Sequence, residues 1–358
     1  MTDGMKPRIY KYDNVKLLAI ILVVIGSFAD EFTSHSDIFR SWFVFSYSFT
    51  APLFVFLSGL FQKQYDKEHK PNVQKISYYL LLGILLKLMI YFVRIIDGDD
   101  VRLDLLGGSG IEWYLFVVVD YMLIMYLFRK VHRYVMLSVA VVAGVVAGFL
   151  PLGDFLYLMR FFVFLPFYVA GYYLTPMKVR RFTHQLNVKL AGIAFILVYF
   201  VLCFRERDTI YPLQALFTGN NPYSAVPVEG CTFYHRLLCY GISAVLIISV
   251  LACMPNRKFP VLTHMGRNTL GVYFWHYPIV LLLWYWGVMD MFIPLGDPLW
   301  KYLMLVAAVA LALLLSLSVF SLPLRKLSEL IQKIPPKACL IADGTAAVIA
   351  VVLQYTVL

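Results

Sequence analysis

Residues 13–30 read DNVKLLAIILVVIGSFAD, and residues 139–146 read VAVVAGVV. Apolar side chains in both runs fall on every face, so neither the apolar stripe of a helix on a soluble core nor the alternation of a lipid-facing β-strand is present. Such runs need an apolar solvent all round. At 1.5 Å of rise per residue, about 18 to 20 helical residues cross roughly 30 Å of hydrocarbon. Runs of that kind recur through all 358 residues, of which 61% are hydrophobic and only 15% charged, with a mean hydropathy of +0.75. One soluble core cannot hide so much apolar surface. A water-soluble enzyme and a membrane β-barrel are excluded, and an all-α, polytopic helical membrane protein is expected.

Apolar runs bounded by charge or by Gly/Pro clusters predict eleven helices: 13–30, 38–61, 75–96, 111–128, 131–150, 155–175, 187–204, 235–254, 268–289, 299–321 and 339–357. The linkers between them alternate in charge. One set holds Lys6, Arg8, Lys11 and Lys16; Lys63, Lys67, Lys70 and Lys75; Arg129, Lys130 and Arg133; Lys178, Arg180, Arg181 and Lys189; Arg257, Lys258 and Arg267; and Arg325, Lys326, Lys333 and Lys337. The other set is acidic, with Asp30, Glu31 and Asp37, then Asp97, Asp99, Asp100 and Asp104, then Asp154, Glu206, Asp208, Glu229, Asp290 and Asp297. The positive-inside rule then puts the N-terminus in the cytoplasm and, after an odd number of spans, Leu358 outside. The net charge of +10 is accounted for by topology rather than by a nucleic-acid partner. No cleavage site follows the first apolar run, which reads as a retained span of a multi-pass plasma-membrane protein. The longest linker, residues 205–234, is too short for a second domain, so residues 1–358 read as one transmembrane domain, with no internal repeat. Five cysteines lack metal-ligand spacing, and no metal is expected.

Charges inside spans are expensive and need a partner, a cavity or a job. On the first helix Ser27 lies eleven residues, about 16 Å, beyond Lys16, and Asp30 follows one turn later. The ninth predicted helix opens with Gly266-Arg267-Asn268-Thr269 and carries His276 about 13 Å further in, beside Pro278. Two helices thus bring a polar side chain to similar depth, each with a cation at its cytoplasmic mouth, as an elongated anionic ligand would require. From the other side, Glu112-Trp113-Tyr114 opens the fourth helix and Arg160 lies early in the sixth, a combination that suits a hydroxyl-rich substrate. Interfacial aromatic belts read the same way. Lys87 and Asp120 fall at similar heights and predict a buried ion pair. Taken singly, His276 reads as a core histidine bonded between helices and Ser27 as an ordinary helix-contact residue.

Several segments, in order along nearly the whole chain, resemble the membrane acyltransferase family 3, whose members transfer acyl groups, usually acetyl, onto extracytoplasmic sugars. Residues 12–26, YDNVKLLAIILVVIG, are similar to that family's first helix, in which a basic residue is followed across ten residues by a His. Residues 49–59, FTAPLFVFLSG, resemble its second helix, and Glu112-Trp113-Tyr114-Leu115 resembles the Trp-aromatic-Leu element of its fourth. Residues 160–171, with Phe164-Leu165-Pro166-Phe167, and the stretch from Gly266-Arg267-Asn268-Thr269 to His276-Tyr277-Pro278 continue the likeness. Where the family has its catalytic His, this chain has Ser27. A hydroxyl cannot take a proton near neutral pH as imidazole does, whereas Lys16 in place of the family's Arg still meets phosphate, without the bidentate fork. Ser27 marks either an introduced replacement of a His or an inactive or re-tasked relative.

The resemblance implies an acyl-CoA, acetyl-CoA above all, approaching from the cytoplasm, with its phosphates near Lys16, Lys75, Arg267, Asn268 and the loop from Lys63 to Lys75. An imidazole at position 27, oriented by Asp30, would deprotonate the acceptor hydroxyl of a glycan or lipid-linked sugar in the vestibule of Glu112, Trp113 and Tyr114. His276 and Arg160 would position or polarise the acyl carbonyl. Membrane lipid is the surrounding partner, and a homodimer is compatible with the pattern. A transporter or non-catalytic binding protein using the same polar cavity is the alternative.

Overall fold

Helix is the structure that leaves no backbone polar group unpaired in lipid, and among the described residues the chain folds as helices and turns without a strand. The computed structural model describes residues 8–65, 71–96, 98, 101–108 and 110–356. Lys6, Lys67, Lys70, Asp97, Asp99, Asp100 and Leu358, which entered the charge reading, lie outside them, as does the side chain of Lys63. The helices are α1 (Tyr10–Glu31), α2 (Asp37–Tyr47), α3 (Thr50–Tyr65), α4 (Val73–Ile96), α5 (Trp113–Leu127), α6 (Arg133–Ala147), α7 (Leu158–Tyr173), α8 (Pro176–Thr183) and α9 (Leu186–Arg205). Then follow α10 (Arg207–Ile210), α11 (Gln214–Phe217), α12 (Phe233–Cys253), α13 (Pro260–Met265), α14 (Thr269–Tyr285), α15 (Leu299–Leu315), α16 (Ser318–Gln332) and α17 (Pro336–Thr356).

Each of the eleven predicted segments is occupied by helix, but two are broken. The second divides into α2 and α3 because Pro52 has no N–H to give the carbonyl of Ser48, four residues earlier; the Ser243 hydroxyl supplies that donor instead, at 2.5 Å. The tenth ends at Leu315 rather than continuing to 321, and α16 leaves it at a bend of 46°. By length and composition, seven stretches of the described residues can cross a membrane, or eight if α15 and α16 form one bent span; α5 and α6 are shorter apolar helices.

The fold centres on α1, which packs against α2, α3, α12, α13, α14 and α15. Behind it α3 and α7 pack closely along their length. A Cβ on Gly59 would stand 2.2 Å from the carbonyl oxygen of Tyr168, and one on Gly171 would stand 2.1 Å from that of Phe56, so only glycine at both positions allows this approach. The basic linkers gather at one end. The α1 start is tied there by Tyr12 to the Pro176 carbonyl, by Lys11 to Thr183 and by Asn14 to the carbonyls of Pro255 and Arg257. The acidic linkers meet at the opposite end, where Phe32 packs on Trp300 and Arg207 pairs with Asp37. The long 205–234 linker is held by a side chain the sequence reading passed over, the buried Arg236, which donates to the carbonyls of Leu216 and Asn221.

Candidate active site

The predicted site residues fall on α1, α4 and α7 and at or just before the starts of α5 and α14, with His276 further along α14, and two contacts fix the register of α1 and α14. Gly266 meets the backbone of Asp13 so closely that a Cβ would stand 2.0 Å from its carbonyl oxygen, and Trp284 packs edge-on against Phe32 with centroids 5.4 Å apart. Both helices therefore run in the same direction, and His276 lies level with residues 23–24, about one turn below Ser27.

At the basic end the structure brings Lys16 and Arg267 together, and it does so through Asp13, which sequence reading quoted only as part of a motif. The Asp13 carboxylate is bonded by Arg8 Nε at 2.8 Å and Lys16 Nζ at 3.1 Å, and Arg267 Nε lies 3.7 Å away. Asp13 is only 6% exposed, whereas the Lys16 and Arg267 side chains are 27% and 36% exposed. Lys16 and Arg267 on one buried carboxylate leave a net positive, solvent-reachable cluster, which fits a phosphate. The other two expected donor-binding residues have different partners. Lys75 approaches Gln62 Oε1 at 3.5 Å and sits over the Tyr79 ring, and the buried Asn268 amide donates to the Ser316 carbonyl, tying the start of α14 to the break after α15.

Deeper along the pair, Ser27 is buried and its hydroxyl donates back to the Val23 carbonyl at 3.2 Å. Asp30, one turn on, is exposed at the end of α1, within electrostatic reach of Tyr47, whose ring packs on Gly26. His276 is fully buried. Its Nδ1 lies 3.0 Å from the carbonyl oxygens of both Val272 and Tyr273, so Nδ1 carries the proton and Nε2 presents a lone pair. That Nε2 has no partner among the described residues. Nε2 with this tautomer accepts rather than donates, whereas Arg160 offers donors, since its buried Nε and Nη1 have no hydrogen-bond partner among the described residues.

The predicted vestibule residues do converge. The Arg160 guanidinium lies over the Trp113 ring, 5.4 Å from its centroid, and Trp113 stacks on Phe164. Tyr114 bonds Ser58 of the FTAPLFVFLSG stretch at 2.7 Å. Glu112, however, is largely committed to the fold: one carboxylate oxygen accepts from Tyr157 at 2.8 Å and lies 3.8 Å from Lys87 Nζ. The expected Lys87–Asp120 pair is thereby corrected. Lys87 reaches toward the end of its helix, to Glu112 and to the carbonyls of Asp104 and Gly107 in the 101–108 loop. The flexible four-carbon stem lets the ammonium leave the apolar layer that its position on α4 implies.

A helical bundle with a cation cluster at one end and under-satisfied buried His and Arg side chains inside defines a class, an integral membrane protein with a polar interior site. The acyltransferase domain profile of the acyltransferase 3 family matches residues 9–317, and the chain belongs to that family of membrane acyltransferases. The match ends at the break between α15 and α16. No curated protein and no solved structure matches this chain.

Proposed function

We propose that this acyltransferase moves an acetyl or other acyl group from cytosolic acyl-CoA to a hydroxyl of an extracytoplasmic glycan or lipid-linked sugar, as a multi-pass protein of the plasma membrane that modifies cell-envelope polysaccharide. The observation that carries the reading is the pairing of Lys16 with Arg267 on Asp13, directly below the two helices that hold Ser27 and His276. The CoA phosphates sit on Lys16, Arg267 and Arg8, and the thioester reaches inward along α1 and α14. A base at position 27 takes the proton of the acceptor hydroxyl, the alkoxide oxygen attacks the thioester carbonyl, the C–S bond breaks, and the CoA thiolate is reprotonated. Arg160 supports the negative charge that develops on the carbonyl oxygen. His276 Nε2 accepts a hydrogen bond from a neighbouring hydroxyl of the acceptor sugar, not from the one that is deprotonated.

Ser27 supplies no base, so the chain as written binds donor and turns over poorly. The same residue is what favours a non-catalytic binding or transport protein as the second reading. Calorimetric titration of acetyl-CoA into the detergent-solubilised protein separates the possibilities. Saturable binding weakened at least tenfold by Lys16→Ala combined with Arg267→Ala is expected; no saturable heat, or heat untouched by the double substitution, overturns the donor half.

A further inference from the structure

At the end opposite the basic one, a cleft of about 400 Å³ opens between the α1–α2 turn, the start of α2, α10 and the start of α15. Its walls include the cations Arg40, Arg207 and Lys301 but a single carboxylate, Asp37. That is the reverse of the surrounding linkers, which are acidic, and the positive-inside rule disfavours Lys and Arg at this end. Topology therefore does not explain these three side chains. Asp37, Asp208 and Asp297 match the three cations in number, but only Asp37 stands in the wall of the cleft. Asp37 is bonded by Arg207 Nη2 at 3.0 Å and lies 3.9 Å from Arg40 Nη1, so one carboxylate faces two guanidinium groups. Lys301 has Asp297 at 2.7 Å, and Arg207 Nε has Asp208 at 3.8 Å, beyond hydrogen-bonding range.

A second observation points to a ligand independently. Ser36 lines the cleft and is 5% exposed, and its hydroxyl has no hydrogen-bond partner among the described residues; the Arg207 Nε, with Asp208 only at ion-pair distance, makes no hydrogen bond either. Buried polar atoms are nearly always paired, so these two are set up for a guest. His35 and Ser34, bonded to each other at 2.7 Å, add further polar atoms to the wall. The cleft begins seven residues beyond Ser27, where α1 leaves the bundle.

We propose that this cleft is a subsite for an anionic sugar, in which the guanidinium groups of Arg40 and Arg207 grip a carboxylate or phosphate ester while Ser36 and its neighbours bond ring hydroxyls. The volume lies within the range of small-ligand pockets. The proposal rests on the acyltransferase reading and narrows its acceptor to an acidic glycan or a phosphorylated sugar.

The test is binding to the purified full chain of trigalacturonate, glucose 1-phosphate and the neutral trisaccharide maltotriose. At least one of the two anions binds saturably and at least tenfold tighter than maltotriose; trigalacturonate alone identifies a carboxylate, glucose 1-phosphate alone a phosphate ester. Arg40→Gln with Arg207→Gln abolishes the preference, whereas Arg180→Gln with Arg181→Gln at the basic end leaves it intact. Ser36→Ala, which disturbs no ion pair, weakens binding several-fold and serves if the double variant fails to fold. Equal binding of charged and neutral sugars, no binding of any of them, or a preference that survives the Arg40/Arg207 change or disappears with the Arg180/Arg181 change overturns the subsite. Acetyl-CoA titrations on the same preparations keep the two claims apart. Anionic-sugar binding without acetyl-CoA binding sinks the donor reading alone, and the reverse sinks the subsite alone.

Discussion

Two groups of buried polar side chains, similar in composition, are finished very differently. In the first, Lys87 Nζ, Glu112 Oε1 and the Tyr157 hydroxyl meet one another and the carbonyls of Asp104 and Gly107, and Glu112 Oε2 alone of their side-chain polar atoms has no partner among the described residues. In the second, His276 and Arg160 are as deeply buried, yet one imidazole nitrogen and two guanidinium nitrogens have no partner among the described residues. The first group spends its polar capacity holding α4, α5 and the 101–108 loop together. The second leaves three such atoms unmet on two side chains, the capacity on which the proposed function draws. Burial of a charge in a membrane protein therefore does not by itself separate structure from function; the fraction of its hydrogen bonds met inside the protein does.

Breaking the completed group carries the largest expected effect. Lys87→Met leaves Glu112 buried without its cation, which costs about 3–5 kcal/mol for a pair of this kind, and the thermal midpoint in detergent falls accordingly. His276→Gln leaves that midpoint nearly unchanged. If the two variants destabilise equally, the distinction between the groups fails. Next comes Arg160→Gln, made in a form carrying His at position 27. Loss of an oxyanion donor lowers transfer by about 10²–10³, measured as acetyl release from acetyl-CoA, with acetyl-CoA affinity retained; a loss confined to affinity assigns Arg160 to binding instead. The smallest effect is expected at α17, which lies outside the family match and is 6% buried over its apolar window, against 78% for α1. Its Asp343 accepts from Ser77 at 2.5 Å. Asp343→Ala costs under about 1 kcal/mol, the range of single hydrogen bonds between membrane helices, and leaves transfer untouched. A drop in transfer comparable to that of Arg160→Gln removes the contrast between core and periphery.

Much of this was legible in the sequence because a lipid-spanning helix is written locally. All eleven apolar runs are helical, and the alternation of charge sorts the linkers into the two ends observed. The family resemblance, read from five stretches, is the family to which the chain belongs. What escaped depends on neighbours distant in sequence. The run 38–61 reads as one helix, and neither its break after Tyr47 nor the Ser243 hydroxyl that serves the Ser48 carbonyl is visible in it. Lys87 was paired with Asp120 on height alone, although its stem is long enough to reach Glu112. Asp13 is invisible as a hub until Arg8 and Arg267 are folded onto it, and the Ser36, Arg40, Arg207 and Lys301 cleft draws on segments far apart in the chain.

The proposed function places the proton transfer at position 27. Eleven residues separate it from Lys16, close to three full turns, so both lie on one face of α1, with the cation cluster some 16 Å below. Acetyl-CoA-dependent transfer and hydrolysis, compared for the Ser27 protein and for Ser27→His at matched amounts in proteoliposomes, read this directly. Restoring a general base raises the rate by about 10²–10⁴ while acetyl-CoA affinity, set at the Asp13 cluster, stays the same. Equal rates for the two proteins contradict the account and move the base to the unpartnered Nε2 of His276.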